Sequence, residues 1–160
     1  GNLASTSLAD FERLFAVNVS GMFLCSQAAL PKLIEEGGGS ILNMCSVAAT
    51  MGIPDRFAYS MTKGATLSMT LSIARDYVNQ GIRCNCICPG DMATPMILQY
   101  WNSTPDPAAA KADMESHYPA RRIGNPAEVA NAVVFLVSDR SSYFNASHLI
   151  VDGGLLAQVY

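Results

Sequence analysis

The sequence predicts an α/β fold, a doubly wound parallel sheet with helices on both faces. Two observations carry this. Helical and strand-like segments alternate along the chain, in the order strand–helix–strand–helix–strand after an initial helix. The strand-like runs are short, near-continuously apolar and bounded by glycine or loop residues, as strands covered on both faces are.

Each element follows from its local signals. Ser7 and Asp10 approximate a capping box ahead of Phe11, Leu14, Phe15 and Val17. The apolar pattern continues through Met22, Phe23, Leu24, Ala28, Ala29 and Leu30 to the glycine run 37–39. This predicts one long helix over 8–36, bent near Asn18–Gly21, with Pro31 bending it further or marking its last turns. Residues 40–46 read as a buried strand, 47–56 as a loop with Gly52 and Pro54, and 57–79 as a second long helix. Ala65, Leu67, Met69, Leu71, Ile73 and Ala74 form the expected core stretch of that helix, and Gly81 closes it. Residues 82–88 are the next strand, stopped by Pro89-Gly90. The stretch 94–122 has several prolines and no long helical period, which suggests two short helices covering a site. Pro126 opens a helix that runs to Val137, and His148–Val151 form the last short strand.

Composition narrows the function classes. A chain of 160 residues, half of them hydrophobic and 14% charged, has the length of one domain (1–160) and is not disordered. A net charge of −3 offers no basic field to nucleic acid or anionic lipid. The apolar runs read as too short or too interrupted to span a bilayer, and no signal-peptide pattern opens the chain. Five cysteines without a Cys-x-x-Cys pair suggest reduced thiols and a cytoplasmic location. Cys84, Cys86 and Cys88 alternate on one strand face, and a single strand cannot wrap a tetrahedral ion. His117 and His148 have no ligand-spaced partners, so no metal is expected.

The chemistry-bearing feature is Tyr59-Ser60-Met61-Thr62-Lys63, with Ser46 thirteen residues before the tyrosine. Tyr59 and Lys63 share a helix face, with Cβ atoms about 5–6 Å apart. A phenol is a poor base at neutral pH, and a fixed ammonium beside it favours the phenolate. A nearby serine hydroxyl can hold a substrate oxygen while the tyrosine gives or takes its proton. Around this pair stand Asn18-Val19-Ser20-Gly21, the stretch Cys88-Pro89-Gly90-Asp91-Met92-Ala93-Thr94, and Val151-Asp152-Gly153-Gly154.

In this order the motifs resemble the short-chain dehydrogenase/reductase family over essentially the whole chain. The resemblance implies the last three strands of a Rossmann-like sheet. It implies Tyr59 as general acid/base, Ser46 as the group positioning the substrate carbonyl, and Lys63 as the residue assisting Tyr59 and holding the nicotinamide ribose. Asn18 would shape the helix bend and support a water relay to the lysine. Pro89, Gly90, Met92 and Thr94 would contact the nicotinamide of NAD or NADP, while Tyr59 and Lys63 also touch that cofactor. Ala48, Phe57 and Met96 would line an apolar pocket for a small-molecule alcohol or ketone. Helices 8–36 and 57–80 would pack against a second copy of the chain.

One part of the expected site is not in the sequence. Dinucleotide binding uses a glycine-rich turn between a strand and a helix N-terminus, whereas the glycine run 37–39 lies between a helix and a strand and reads as a linker. The resemblance implies roughly three further βαβ units before Gly1, about ninety residues, and leaves the first strand as an exposed edge. The expectation is an alcohol–ketone oxidoreductase when full length, with these 160 residues alone inactive. The alternative is a non-catalytic pseudoenzyme or oligomerisation module.

Overall fold

Three parallel strands in the order β1-β2-β3 form the sheet of this computed structural model. They span Gly39–Met44 (β1), Ile82–Pro89 (β2) and His148–Val151 (β3). The structure describes residues 1–157, so the single-domain expectation over 1–160 extends past the described part. Gly39 pairs with Ile82 and Met44 with Ile87, while Cys86 pairs with His148 and Pro89 with Val151. β2 is therefore the central strand, and Ile82, Cys84, Cys86 and Ile87 are fully buried along it. β1 is an edge strand among the described residues, as expected.

The first helix is unbroken, but its hydrogen-bonding pattern changes along its length. α1 (Leu8–Phe15) starts at the Ser7 cap, whose hydroxyl accepts from the Asp10 amide at 3.1 Å and donates to its carboxylate at 2.8 Å. A π-helical segment over Ala16–Ser20 then widens the turn around Asn18, and α2 runs over Gly21–Glu35. The irregularity expected near Asn18–Gly21 is thus one inserted π turn. Pro31 sits inside the last turns of α2.

That continuity corrects the membrane reading. The run Leu8–Glu35 is 28 residues long and, by length and composition, apolar enough to cross a bilayer. The sequence pattern looked interrupted because Asn18, Ser20 and Pro31 are polar or helix-breaking types, yet all three are accommodated within the helix. Length and composition do not separate a bilayer span from a face covered by protein. Here α1 and the π segment pack against α3.

α3 (Phe57–Tyr77) covers one face of the sheet, and α6 (Pro126–Val137) packs on β1 and β2 from the other. The buried stripe of α3 departs from expectation. Apart from Ala74, the residues expected in its core are not its most buried: Leu71 is exposed, and Ala58, Thr62, Lys63, Thr66, Thr70 and Ala74 face inward. Threonines can be buried here because each hydroxyl is satisfied by the helix itself. Thr66 Oγ1 donates to the Thr62 carbonyl at 3.0 Å and Thr70 Oγ1 to the Thr66 carbonyl at 2.9 Å. Thr70 Oγ1 also accepts from Asn43 Nδ2 at 2.9 Å, which ties the helix to β1.

A three-residue 3₁₀ turn (Val78–Gln80) follows α3, and Gly81 closes it with a φ of 73°. The glycine run before β1 is more than a linker. A Cβ on Gly38 would lie 2.6 Å from the Gly81 carbonyl oxygen, so the two chain entries cross where side chains cannot fit. On the far face, Arg83 donates to the Leu136 and Ser138 carbonyls at 3.1 and 3.2 Å and so terminates α6. α6 begins with a complete capping box, Asn125 and Glu128 exchanging side-chain-to-backbone bonds.

Between β2 and α6 lie α4 (Pro95–Asn102) and α5 (Pro107–Ser116), the two short helices expected in the proline-containing stretch. Trp101, Tyr118 and Ile123 form a small buried cluster that fixes this segment, with Ile97, Ala110, Met114 and Leu155 packed on it.

Candidate active site

The carboxyl ends of β1 and β2 open into a cleft of about 1440 Å³, the place where parallel sheets put ligands. Ser46, Tyr59, Lys63, Pro89, Gly90, Met92, Thr94 and Met96 all line it. A smaller pocket of about 350 Å³, beside Trp101, Lys111 and Arg122, holds none of these residues.

β1 ends at Met44 rather than at residue 46, which places Ser46 in the loop. There it caps a short 3₁₀ turn over Val47–Ala49, its hydroxyl accepting from the Ala48 amide at 3.1 Å. The hydroxyl hydrogen remains free to reach into the cleft. Tyr59 stands in the first turn of α3, half-buried, and Lys63 one turn on is buried. The Lys63 Nζ lies 5.6 Å from the Tyr59 ring centroid and donates to the Met44 carbonyl at 2.9 Å. One of three ammonium donors is thus spent on holding the lysine against the end of β1. Burial pushes the Lys63 ammonium below its ordinary value, and the neighbouring sulfurs of Cys45 and Cys88 oppose that shift.

Asn18 does not line the cleft; it supports the cleft from behind. Its Nδ2 donates to Thr62 Oγ1 at 3.1 Å, and Thr62 Oγ1 donates to the Tyr59 carbonyl at 2.7 Å. Asn18 lies in the π segment, level with the turn of α3 that carries Tyr59 and Lys63.

The loop after β2 forms the opposite wall. The Thr94 amide donates to the Met92 carbonyl at 2.6 Å, and Met92 bridges to Gly124. Thr94 stands at the N-cap of α4 with no capping bond from its side chain, which leaves its hydroxyl for a ligand. At Gly90 the close neighbour is protein: a Cβ there would lie 3.0 Å from a Tyr118 ring carbon and 3.3 Å from Asp152 Cα.

Two expected pocket residues lie elsewhere. Ala48 is buried within the 3₁₀ turn, and Phe57 is the first residue of α3; neither lines the cleft. Their pocket places are taken by Met51, Ile53 and Pro54 from the loop, and by Ile97, Tyr100, Met114, His117 and Tyr118 from 94–122. Proximity in sequence to Ser46 and Tyr59 does not bring Ala48 and Phe57 into the cleft lining. For Tyr118 no local pattern signals the role, because it is created by tertiary contact. Its hydroxyl donates to the Asp91 carboxylate at 2.9 Å and accepts from the Asp91 amide at 2.8 Å. Burial, with the Asp91 carboxylate beside it, pushes the Tyr118 phenol upward.

Below the floor, Cys45 meets Cys86 and Cys88. Sulfur hydrogen bonds from Cys86 and Cys88 hold the Cys45 thiol below its usual value, and the same contacts with Cys45 push Cys86 and Cys88 up.

Residues 1–156 match the protein-family model described as Enoyl-(Acyl carrier protein) reductase. The chain is 40% identical over 157 residues to a 2-(R)-hydroxypropyl-CoM dehydrogenase of Xanthobacter autotrophicus, covering 98% of this chain and 61% of that protein. It is 38% identical over 155 residues to Dehydrogenase/reductase SDR family member 6 of Xenopus laevis, covering 96% and 63%. Among solved structures it is similar to a gluconate 5-dehydrogenase of Burkholderia cenocepacia in complex with NADP and tartrate, at a TM-score of 0.91 and 32% identity, covering 99% and 61%. The chain thus spans a little over three fifths of the length of these relatives. With the family match across nearly all of its residues and the three-stranded parallel fold, the chain belongs to the short-chain dehydrogenase/reductase family.

Proposed function

We propose that this chain is the catalytic and substrate-binding portion of an NAD- or NADP-dependent oxidoreductase that interconverts a small secondary alcohol and its ketone. The observation that carries this reading is the meeting of Ser46, Tyr59 and Lys63 on one wall of the cleft, facing Pro89–Thr94. A buried lysine adds no packing advantage at the end of a strand, and its desolvation is unfavourable. Its presence there makes sense as chemistry.

In this reading the Ser46 hydroxyl holds the substrate oxygen and Tyr59 gives its proton to the forming alkoxide, or takes it from the alcohol. Lys63, anchored by the Met44 carbonyl, keeps a positive charge next to the phenol and presents its remaining donors to a ribose. Asn18 acts through Thr62 and holds the Tyr59 turn in register. The residues suit the nicotinamide end of a cofactor: Thr94 has an uncommitted hydroxyl, and the Lys63 ammonium has spare donors. When bound, the nicotinamide supplies or accepts the hydride. Contacts to the pyrophosphate and adenosine are not provided by these residues, since no glycine-rich strand-to-helix turn occurs among them.

The apolar lining from Met51, Ile53, Met96 and Ile97 favours a substrate with some hydrophobic body. Exposed apolar side chains on α1–α2, including Val17 and Leu24, fit association with a second copy of the chain. Free cysteines fit a cytoplasmic setting.

The test compares Tyr59→Phe with the unaltered residue in a form reconstituted with the nucleotide-binding portion. Turnover falls by about 10²–10⁴, the usual contribution of general acid–base catalysis, while cofactor binding persists. Full activity after Tyr59→Phe rules the role out. The 160-residue chain alone is expected to lack turnover; robust turnover by it overturns that part of the reading.

A further inference from the structure

Three thiols converge under the floor of the cleft. Cys86 and Cys88, alternate residues of β2, point to the face covered by α3. Cys45, one residue past β1, joins them from the neighbouring strand, its amide donating to the Ile87 carbonyl at 2.9 Å. The three Sγ atoms lie within 4.8 Å of one another, and exposures are 3%, 0% and 1% for Cys45, Cys86 and Cys88. The expectation of no metal considered the strand of Cys84, Cys86 and Cys88 by itself; the tertiary structure supplies the third arm from Cys45 instead. Cys84 remains outside the cluster, its sulfur accepting from Asn43 Nδ2 at 3.7 Å.

We propose that Cys45, Cys86 and Cys88 form a trigonal all-thiolate site for a soft monovalent cation of the copper(I) class. Thiolates select soft ions. With metal–sulfur bonds of about 2.3 Å, three ligands in a plane stand about 4 Å apart, a separation inside the 4.8 Å limit of the cluster. A tetrahedral zinc ion needs a fourth ligand, and among the described residues no other histidine, cysteine, aspartate or glutamate joins the group. The hydrogen-bond partners of Cys45 Sγ are hard backbone oxygens, the Lys63 carbonyl at 3.3 Å and the Ser46 carbonyl at 3.8 Å. Ala49 and Leu67 pack against the sulfurs and exclude water. Cys45 also lines the cleft, which provides an entry path.

Binding is ligand exchange without redox change. Three S–H bonds break, three copper–sulfur bonds form, copper stays in the +1 state, and the three protons leave to solvent. The Lys63 ammonium beside Cys45 and Cys88 offsets part of the resulting negative charge. This inference is independent of the hydride-transfer reading.

The test is an anaerobic copper(I) titration of the Cys25→Ser protein against a chromophoric copper(I) chelator, with sulfur coordination read by X-ray absorption. Cys25 is the exposed thiol, and its removal leaves the cluster intact. One copper per chain is retained, with three sulfur neighbours. Adding Cys45→Ala or Cys88→Ala weakens binding by at least the about 10–100-fold that loss of a mere supporting partner costs, whereas adding Cys84→Ala leaves it unchanged. Stripping of copper by the chelator, two sulfur neighbours instead of three, or equal weakening by Cys84→Ala overturns the proposal. The absorption spectrum of the Cys25→Ser protein decides the matter even if the alanine variants fail to fold.

Discussion

The side-chain amide of Asn18 donates to the Thr62 hydroxyl at 3.1 Å, and through it the π turn grips the helical turn that carries Tyr59 and Lys63. Thr62 is fully buried and also donates to the Tyr59 carbonyl within α3, so the Asn18 bond ties the first helix to the turn of α3 that lines the cleft. A part-buried hydrogen bond is worth about 0.5–1.5 kcal/mol. A double-mutant cycle of Asn18→Ala and Thr62→Val, read by urea unfolding, should give a coupling of about that size. Full additivity would show that the two side chains do not act together.

Lys63→Met keeps the volume of the buried stem and removes the ammonium. The Met44 carbonyl loses its partner, so stability, read by urea unfolding, falls by about 1–3 kcal/mol. If Lys63 holds the nicotinamide ribose as proposed, turnover of the reconstituted form falls and its cofactor affinity weakens as well. A variant with unchanged KM for the cofactor would remove Lys63 from the cofactor site.

Tyr118 latches the stretch 94–122 to the end of β2 by giving and taking hydrogen bonds at Asp91. Tyr118→Phe leaves the Asp91 amide without its acceptor and should cost about 1–3 kcal/mol. Amide exchange at Asp91 should accelerate correspondingly. Unchanged exchange there would mean that the latch does not hold the loop.

Gly90→Ala tests the same junction from below. The new methyl would press on the Tyr118 ring at 3.0 Å, and overpacking of this kind costs about 1–3 kcal/mol. Combining it with Tyr118→Ala should lose less than the sum of the two changes. A simple sum would place the strain elsewhere.

Glu128 sets a pH dependence of stability. The bidentate Arg122 guanidinium, at 2.8 Å to each oxygen, holds its carboxyl down to about 2 from an ordinary 4.5, aided by the Asn125 amide. A depressed folded-state value means that the contribution is fully present above 4.5 and is lost as pH falls through about 2. Urea midpoints of the parent and Glu128→Gln should therefore converge over that window. Both side chains are largely exposed, so the difference is small and shrinks with salt. Parallel curves for the two proteins would contradict this assignment.

The sequence by itself determined the element order, the parallel strands, an irregularity in the first helix near Asn18–Gly21, and the grouping of Ser46, Tyr59, Lys63 and the loop after β2 at one end of the sheet. Those features rest on local signals: apolar runs, the cap at Ser7, Pro126 at a helix start, glycine and proline stops, and a tyrosine one helical turn from a lysine. Even so, local pattern misjudged the inward stripe of α3, because buried threonines that bond their own helix carbonyls look polar in a sequence. Only the tertiary structure decided which side chains close the cleft, replacing Ala48 and Phe57 with residues from 94–122. The Tyr118–Asp91 latch and the meeting of Cys45 with Cys86 and Cys88 belong to the same class. Each depends on strand register and on a distant segment folding back, and neither strand spacing nor periodicity along one element encodes a distance between two.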